Sequence, residues 1–449
     1  MAGHPGKRLS TLLTILPLLL SASFRGAECG PILPSPVTEC ESTMNRIAEK
    51  YVKLVLATGR HDEMYVDAYY GPEAWREEAA RDSLPVETIE KEAAALLSEL
   101  GGLEIPDGEG ILGLRLAFLE GQLGALHAYL RMLGGERLSF DAEARALYDV
   151  EIPSFDDNLF VETRERIESL LPPSGDPLPE RIDSFRKDFI IPREKLEAVF
   201  ATVIEEARGR TKRFLDLPEG ESFEIEYVTG VSWGAYNWYK GNGHSLIQVN
   251  TDLPTYIDSP LGLACHEGYP GHHAYNILLE EHLSKKRGWV EFTVYPLFSP
   301  QSLLAEGTAN YGIELLFPGD ERLAYEREVL YPLAGIDPER AQLYSEIQEL
   351  AKRLGQARIE AARRYLDGKA SAEQTAAYLS AYALLSPDRA SRLVSFFDGF
   401  RSYIINYYVG YDLVKAYIEG KYPGAEERAG RWKEFGEILS TPRVPSDLD

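Results

Sequence analysis

Residues 266–273 read HEGYPGHH. In a regular α-helix, side chains share a face when they are three or four residues apart. The position four after His266 is Pro270, which offers no ligand, and the next histidines, His272 and His273, lie six and seven residues on. An unbroken helix would swing His272 about 120° away from His266 and carry His273 about 10 Å along the axis. Pro270 opposes that helix, because it has no N–H and its ring clashes with the carbonyl four residues back. Gly271 tolerates the dihedrals of a distortion. The stretch therefore predicts a helix bulged at Pro270-Gly271, of a kind frequent at functional sites, which returns His272 to the face of His266.

Three of the eight histidines fall in these eight residues, with Glu267 among them. Helix propensity gains nothing from such a composition, whereas metal chemistry does. A hydrolytic zinc site takes three protein ligands, leaves a position for water, and needs a carboxylate to take a proton from that water. His266 and His272, with His273 as the other choice, are the expected imidazole ligands, and Glu267 is the expected base. A third ligand is expected in SLLAEGTANYGIELLF (302–317). Glu306 sits there in an apolar helical pattern, where an uncompensated carboxylate is costly. Glu314 is the alternate ligand, and Asn310, one turn beyond Glu306, is placed to orient a ligand imidazole.

Working outward, the chain has 449 residues, 44% of them hydrophobic, which is ample for a large core. It carries 71 acidic against 47 basic residues, a net charge of −24. Such a surface repels phosphate backbones and anionic lipid, which argues against a nucleic-acid partner. Lys7 and Arg8 precede an apolar run from Leu9 to Leu20 and small residues at 21–23. This is the layout of a secretory signal peptide, expected over residues 1–27, with a secreted or periplasmic product and no stable membrane span. Cys29 invites a lipid anchor, but Glu28 stands where such signals require a small residue. Cys29 and Cys40 are candidates for a disulfide in an exported chain, and Cys265 reads as a buried, inert thiol.

Helical periodicity runs through 41–58, 86–100, 111–132, 160–171 and 193–215. At about 220 the pattern changes to the alternation of SFEIEYVTG, and two strand-like runs then flank Lys240-Gly241-Asn242-Gly243, a strong hairpin signal. From 261 the chain reads as helix again, over 261–283, 301–316, 338–366, 371–384, 389–419 and near 425–439. The expected fold is mainly α with a small antiparallel β-sheet: a helical lobe over 28–219, then 220–449 carrying the hairpin, the histidine segment and further helices. His127 and His282 read as structural, and His61-Asp62 either as part of a cleft wall or as a loop or cap.

HEGYPGHH followed by EGTANYGIE (306–314) resembles the bacterial domain-of-unknown-function 885 family of gluzincin-type metallopeptidases. RHDEMYVDAYYGP (60–72) and RSYIINYYVGYDLVKAYIE (401–419) extend the resemblance over most of the chain. It implies a two-lobed helical gluzincin architecture with a deep cleft, similar to angiotensin-converting enzyme and dipeptidyl peptidase III, and one zinc ion. The Gly271-His272 pair matches the Gly-His ending of gluzincin helices, which implies His272 as second ligand and His273 as its neighbour, although the spacing is two residues longer than the ordinary one. A late Tyr-x-x-Gly element matches at Tyr407 and Gly410, which implies Tyr407 as donor to a developing oxyanion, ahead of Tyr408 and Arg401. Many gluzincins pair the substrate backbone with an edge strand before the zinc helix, which puts His244–Asn250 forward. The function implied is an exported zinc metallopeptidase acting on short peptides. The alternatives are a zinc hydrolase of another amide or an ester, such as a cell-wall fragment, and a metal- or peptide-binding protein without turnover. Glu267 separates the last of these, because a binder needs no base.

Overall fold

The apolar positions Met44, Ile47, Tyr51, Leu54 and Val55 recur every three to four residues, and all are buried along one side of the helix Glu39–Thr58. That relation between period and burial organises the computed structural model, which describes residues 39–105, 108–231 and 233–449. The signal-peptide segment and Cys29, with its pairing to Cys40, lie outside those residues. Helices at Val86–Leu100, Gly110–Leu133, Asp157–Leu170 and Leu196–Thr211 occupy the stretches that the periodicity predicts. Three more, Glu73–Asp82, Phe140–Tyr148 and Leu178–Arg186, are 9 or 10 residues long, too short for a helical period to declare itself. Arg115 and Glu291, both fully buried, are joined by a two-pronged ion pair (2.6 and 3.1 Å) that ties the helix Gly110–Leu133 to the segment entering the last strand.

The strands are β1 (Val66–Tyr69), β2 (Ser222–Val228), β3 (Ala235–Gly241), β4 (His244–Asn250) and β5 (Val294–Pro296). β1 and β5 form an antiparallel pair, and β3 and β4 form the expected antiparallel hairpin. Its two-residue turn is Asn242-Gly243, with φ of 56° and 71°, the combination that this sequence favours. β2 joins the other edge of β4 in parallel, giving the order β2-β4-β3. β4 takes the centre because it buries Ser245, Ile247, Val249 and Asn250, whereas β2 is largely exposed along its length. The expectation that His244–Asn250 offers a free edge is thereby corrected: both of its edges are paired, and β2 and β3 are the outer strands of the sheet.

Two long helical patterns are divided. The 338–366 pattern becomes Ala341–Arg353 and Gly355–Leu366. The 389–419 pattern becomes Pro387–Phe400, a tight turn at Arg401–Tyr407, and Val409–Lys421. The helix Pro300–Leu316 is nearly all buried. It meets Val409–Lys421 backbone to backbone, at Gly307 against Gly410. A Cβ at Gly410 would stand 2.6 Å from the Leu303 carbonyl oxygen, and one at Gly307 would overlap the Gly410 carbonyl. The Tyr-x-x-Gly element is thus a packing device that holds the segment around Tyr407 against the helix that carries Glu306. Among the described residues, no helix is long and apolar enough to cross a membrane.

The Gly307→Ala substitution is expected to lower stability by about 1–3 kcal/mol through overpacking of this crossing, read as a reduced urea midpoint. An unchanged midpoint would contradict the close approach.

Candidate metal centre

The chain from 259 to 279 is a helix interrupted in the middle. A short helix, Ser259–Leu263, widens at Ala264–Gly268 into a turn in which the Tyr269 N–H donates to the Ala264 carbonyl, five residues back (3.1 Å). Pro270 has no N–H to give, and the Tyr269–Pro270 peptide is cis. The Gly271 N–H then donates to the Cys265 carbonyl, six residues back (2.9 Å). Regular helix resumes at His272–Leu279. An α-helix closes its hydrogen bonds over four residues, so a span of six absorbs the two-residue excess between His266 and His272. A Cβ at 271 would lie inside the His266 carbonyl oxygen, so only glycine permits this closure.

The result places the His266 and His272 rings edge to face, with centroids 4.6 Å apart. Glu306 comes in from Pro300–Leu316. His266 Nε2 lies 3.3 Å from Glu306 Oε2, and His272 Nε2 lies 3.8 Å from Glu306 Oε1. The three candidate ligand atoms all fall within 4.8 Å of one another. Tetrahedral ligands at zinc bond lengths stand about 3.3 Å apart, so the spacing fits that ion. Glu306 Oε2 is also buried without a hydrogen-bond donor, while Oε1 accepts from the Tyr403 hydroxyl (2.9 Å). An orphaned carboxylate oxygen facing two imidazoles is what a cation would satisfy.

The electrostatics agree with that fit. Burial disfavours the charged form of His266, but the Glu306 carboxylate beside it outweighs this and raises it to about 9. Burial raises Glu306, but His266 and His272 hold it below its usual range. Burial and the neighbouring His266 push His272 down to about 4, leaving it neutral as a ligand must be. Without metal, a proton on His266 offsets Glu306; a divalent cation bound there would displace it. Burial raises Glu267 to about 7, with His266 opposing and Glu306 adding to the rise. Glu267, His266, His272, Glu306, Asn310 and Tyr407 share the wall of one cavity of about 1370 Å³.

The remaining candidates separate into near and far. The Asn310 side chain reaches His266 and donates to the Tyr407 carbonyl (3.3 Å). The Tyr407 phenol lines the cavity, and burial holds it protonated, with a pKa well above its ordinary value. Tyr408 also lines the cavity, its hydroxyl accepting from Arg358 (2.9 Å). His273 is not brought to the ligands. Its Nδ1 meets Ser245 Oγ (2.8 Å), and its Nε2 faces Glu221 (3.3 Å). Arg401 is turned to the buried Glu143, which needs the charge (2.7 Å), and does not reach the cavity wall. Glu314 pairs with Lys415 and Tyr411 rather than with either histidine. His244 touches Ser222 Oγ at the start of β4, at 3.3 Å.

Tyr403, whose hydroxyl donates to Glu306 and whose ring stands 5.6 Å from that of Tyr407, was not singled out from the sequence. Nor were Asp67, Tyr236 and Asn237. The Asn237 amide donates to the backbone carbonyl of Glu267 (2.6 Å), tying that residue to β3. Glu221, just before β2, accepts from Tyr269 and Arg208 and faces His273, so it grips both sides of the Pro270-Gly271 break. Burial opposes its ionisation, but His273, Tyr269 and Arg208 lower it to about 2.

The His272→Ala protein is expected to lose zinc retention by at least about 100-fold, the scale of a lost ligand or its orienting partner. The His273→Ala protein is expected to keep zinc and lose stability instead. Equilibrium dialysis with metal analysis checks both, and zinc loss in His273→Ala alone would contradict the assignment.

No family model and no curated protein matches this sequence. Among solved structures, one from Colwellia psychrerythraea, described as a candidate lipoprotein, matches with a TM-score of 0.51 at 14% identity, over 92% of this chain and 75% of its own. A second candidate lipoprotein, of unknown function and from Shewanella oneidensis, gives a TM-score of 0.41 at 14% identity, over 83% and 74%. The first likeness concerns the fold alone.

Proposed function

We propose that this chain is an exported zinc-dependent metallopeptidase that hydrolyses short peptides, as its resemblance to the domain-of-unknown-function 885 family implies. The observation that carries the reading is the convergence of His266, His272 and Glu306 beside Glu267 on the wall of a large cavity. The gluzincin-like two-lobed arrangement rests on the resemblance. Export rests on the leader-like N-terminus and on the lipoprotein description of the Colwellia structure.

His266, His272 and Glu306 would hold the ion, which when bound supplies a Lewis acid for water and for the peptide carbonyl. Glu267, buried and held by Asn237 through its own backbone, takes the proton from water and passes it to the leaving amine. Tyr407 is protonated at all physiological pH and offers a hydrogen bond to the oxygen that gains charge. Tyr403 keeps Glu306 oriented. Residues 235–239 of β3 line the cavity, and the unpaired edge of that strand suits an extended peptide backbone.

A mixed peptide pool is expected to be cleaved by zinc-loaded protein and spared after chelation. The Glu267→Gln protein is expected to retain zinc while losing at least about 100-fold in rate, the scale of a lost general base. Full activity in that variant would contradict the role of Glu267.

A further inference from the structure

Three carboxylates, Asp67, Glu267 and Glu306, line the cavity together, and among the described residues none of them is paired with a lysine or arginine. The cavity does hold four such cations, but they are engaged elsewhere or stand apart. Arg322 pairs with Glu326 (2.8 Å), Lys352 with Glu349 (3.0 Å) and Lys415 with Glu314, and Arg353 reaches none of the three carboxylates. A divalent cation on His266, His272 and Glu306 would offset Glu306 and Glu267 and leave Asp67 uncompensated. Asp67 sits on β1 and accepts a hydrogen bond from the Tyr236 hydroxyl on β3. Burial, with Glu306 and Glu267 adding to it, pushes Asp67 up to about 7. The Tyr236 ring in turn stands 6.1 Å from Trp233 and 4.5 Å from Trp238, and all three rings line the cavity with Asp67. A carboxylate with aromatic walls is the chemistry that receives an organic ammonium.

We infer that Asp67, oriented by Tyr236, receives an ammonium group of the peptide substrate. Its source is the terminal amine or a lysine side chain. The inference rests on the peptidase reading and narrows its substrates to peptides that place a positive charge near the scissile bond.

The test is calorimetric binding to zinc-loaded Glu267→Gln protein, in which turnover is suppressed. The probes are trialanine, N-acetyl-trialanine and N-acetyl-Lys-Ala-Ala. Acetylation of trialanine is expected to weaken binding at least about tenfold, which is about 1.4 kcal/mol. Recovery with the lysine peptide assigns the side chain as an accepted source, and no recovery assigns the terminal amine. Adding Asp67→Asn should abolish the difference between free and acetylated trialanine while leaving the acetylated peptide unchanged, which also reports that the variant is folded. Equal binding of all three peptides, binding of none, or equal weakening of all by Asp67→Asn overturns the inference. Undiminished, chelator-sensitive cleavage of N-acetylated, lysine-free peptides by the unsubstituted protein would sink it while leaving the peptidase reading standing.

Discussion

The hydrogen bond from the Gly271 N–H to the Cys265 carbonyl spans six residues where a helix would span four. The candidate site depends on that closure. It lets the chain leave the helical path after His266 and rejoin it at His272, so that two imidazoles six residues apart in sequence face one carboxylate. Pro270 makes the ordinary bond impossible, and Gly271 is the only residue that fits under the His266 carbonyl. Glu221 then fixes the break from outside, through Tyr269 on one side and His273 on the other.

The second element of the site is placed by an equally tight contact. Gly307 and Gly410 let two helices touch along their backbones, and this sets the depth of Glu306 and the position of the Tyr403–Tyr407 segment. The two devices share a logic. In each, side-chain volume is given up so that backbone position is over-determined, and the charged groups are then placed by rigid elements rather than by loops. The energetic cost of gathering Asp67, Glu267 and Glu306 in one cavity falls on the apolar core that surrounds them.

Much of this was legible in the sequence, and the reasons for the rest are specific. HEGYPGHH announced its own break because Pro and Gly have backbone consequences independent of the fold. Glu306 was visible as a carboxylate in an apolar stripe. The Asn242-Gly243 hairpin was visible because its turn demands those residues. The place of β4 at the centre of the sheet was not, since strand order is a property of pairing and not of any one strand. Arg401 and His273 looked available because their partners, Glu143 and Glu221, are 258 and 52 residues away in the chain. Asp67 was missed because a strand of four residues carries no periodic signal, and Tyr236 because the Asp67 it meets is 169 residues away in the chain.

The central claim is that the broken helix builds one metal site from His266, His272 and Glu306. Anomalous X-ray diffraction at the zinc edge, from crystals of the zinc-loaded protein, tests it most directly. The account predicts a single strong peak about 2 Å from His266 Nε2, His272 Nε2 and a Glu306 carboxylate oxygen. A peak at His273, or no peak between the two helices, would contradict it.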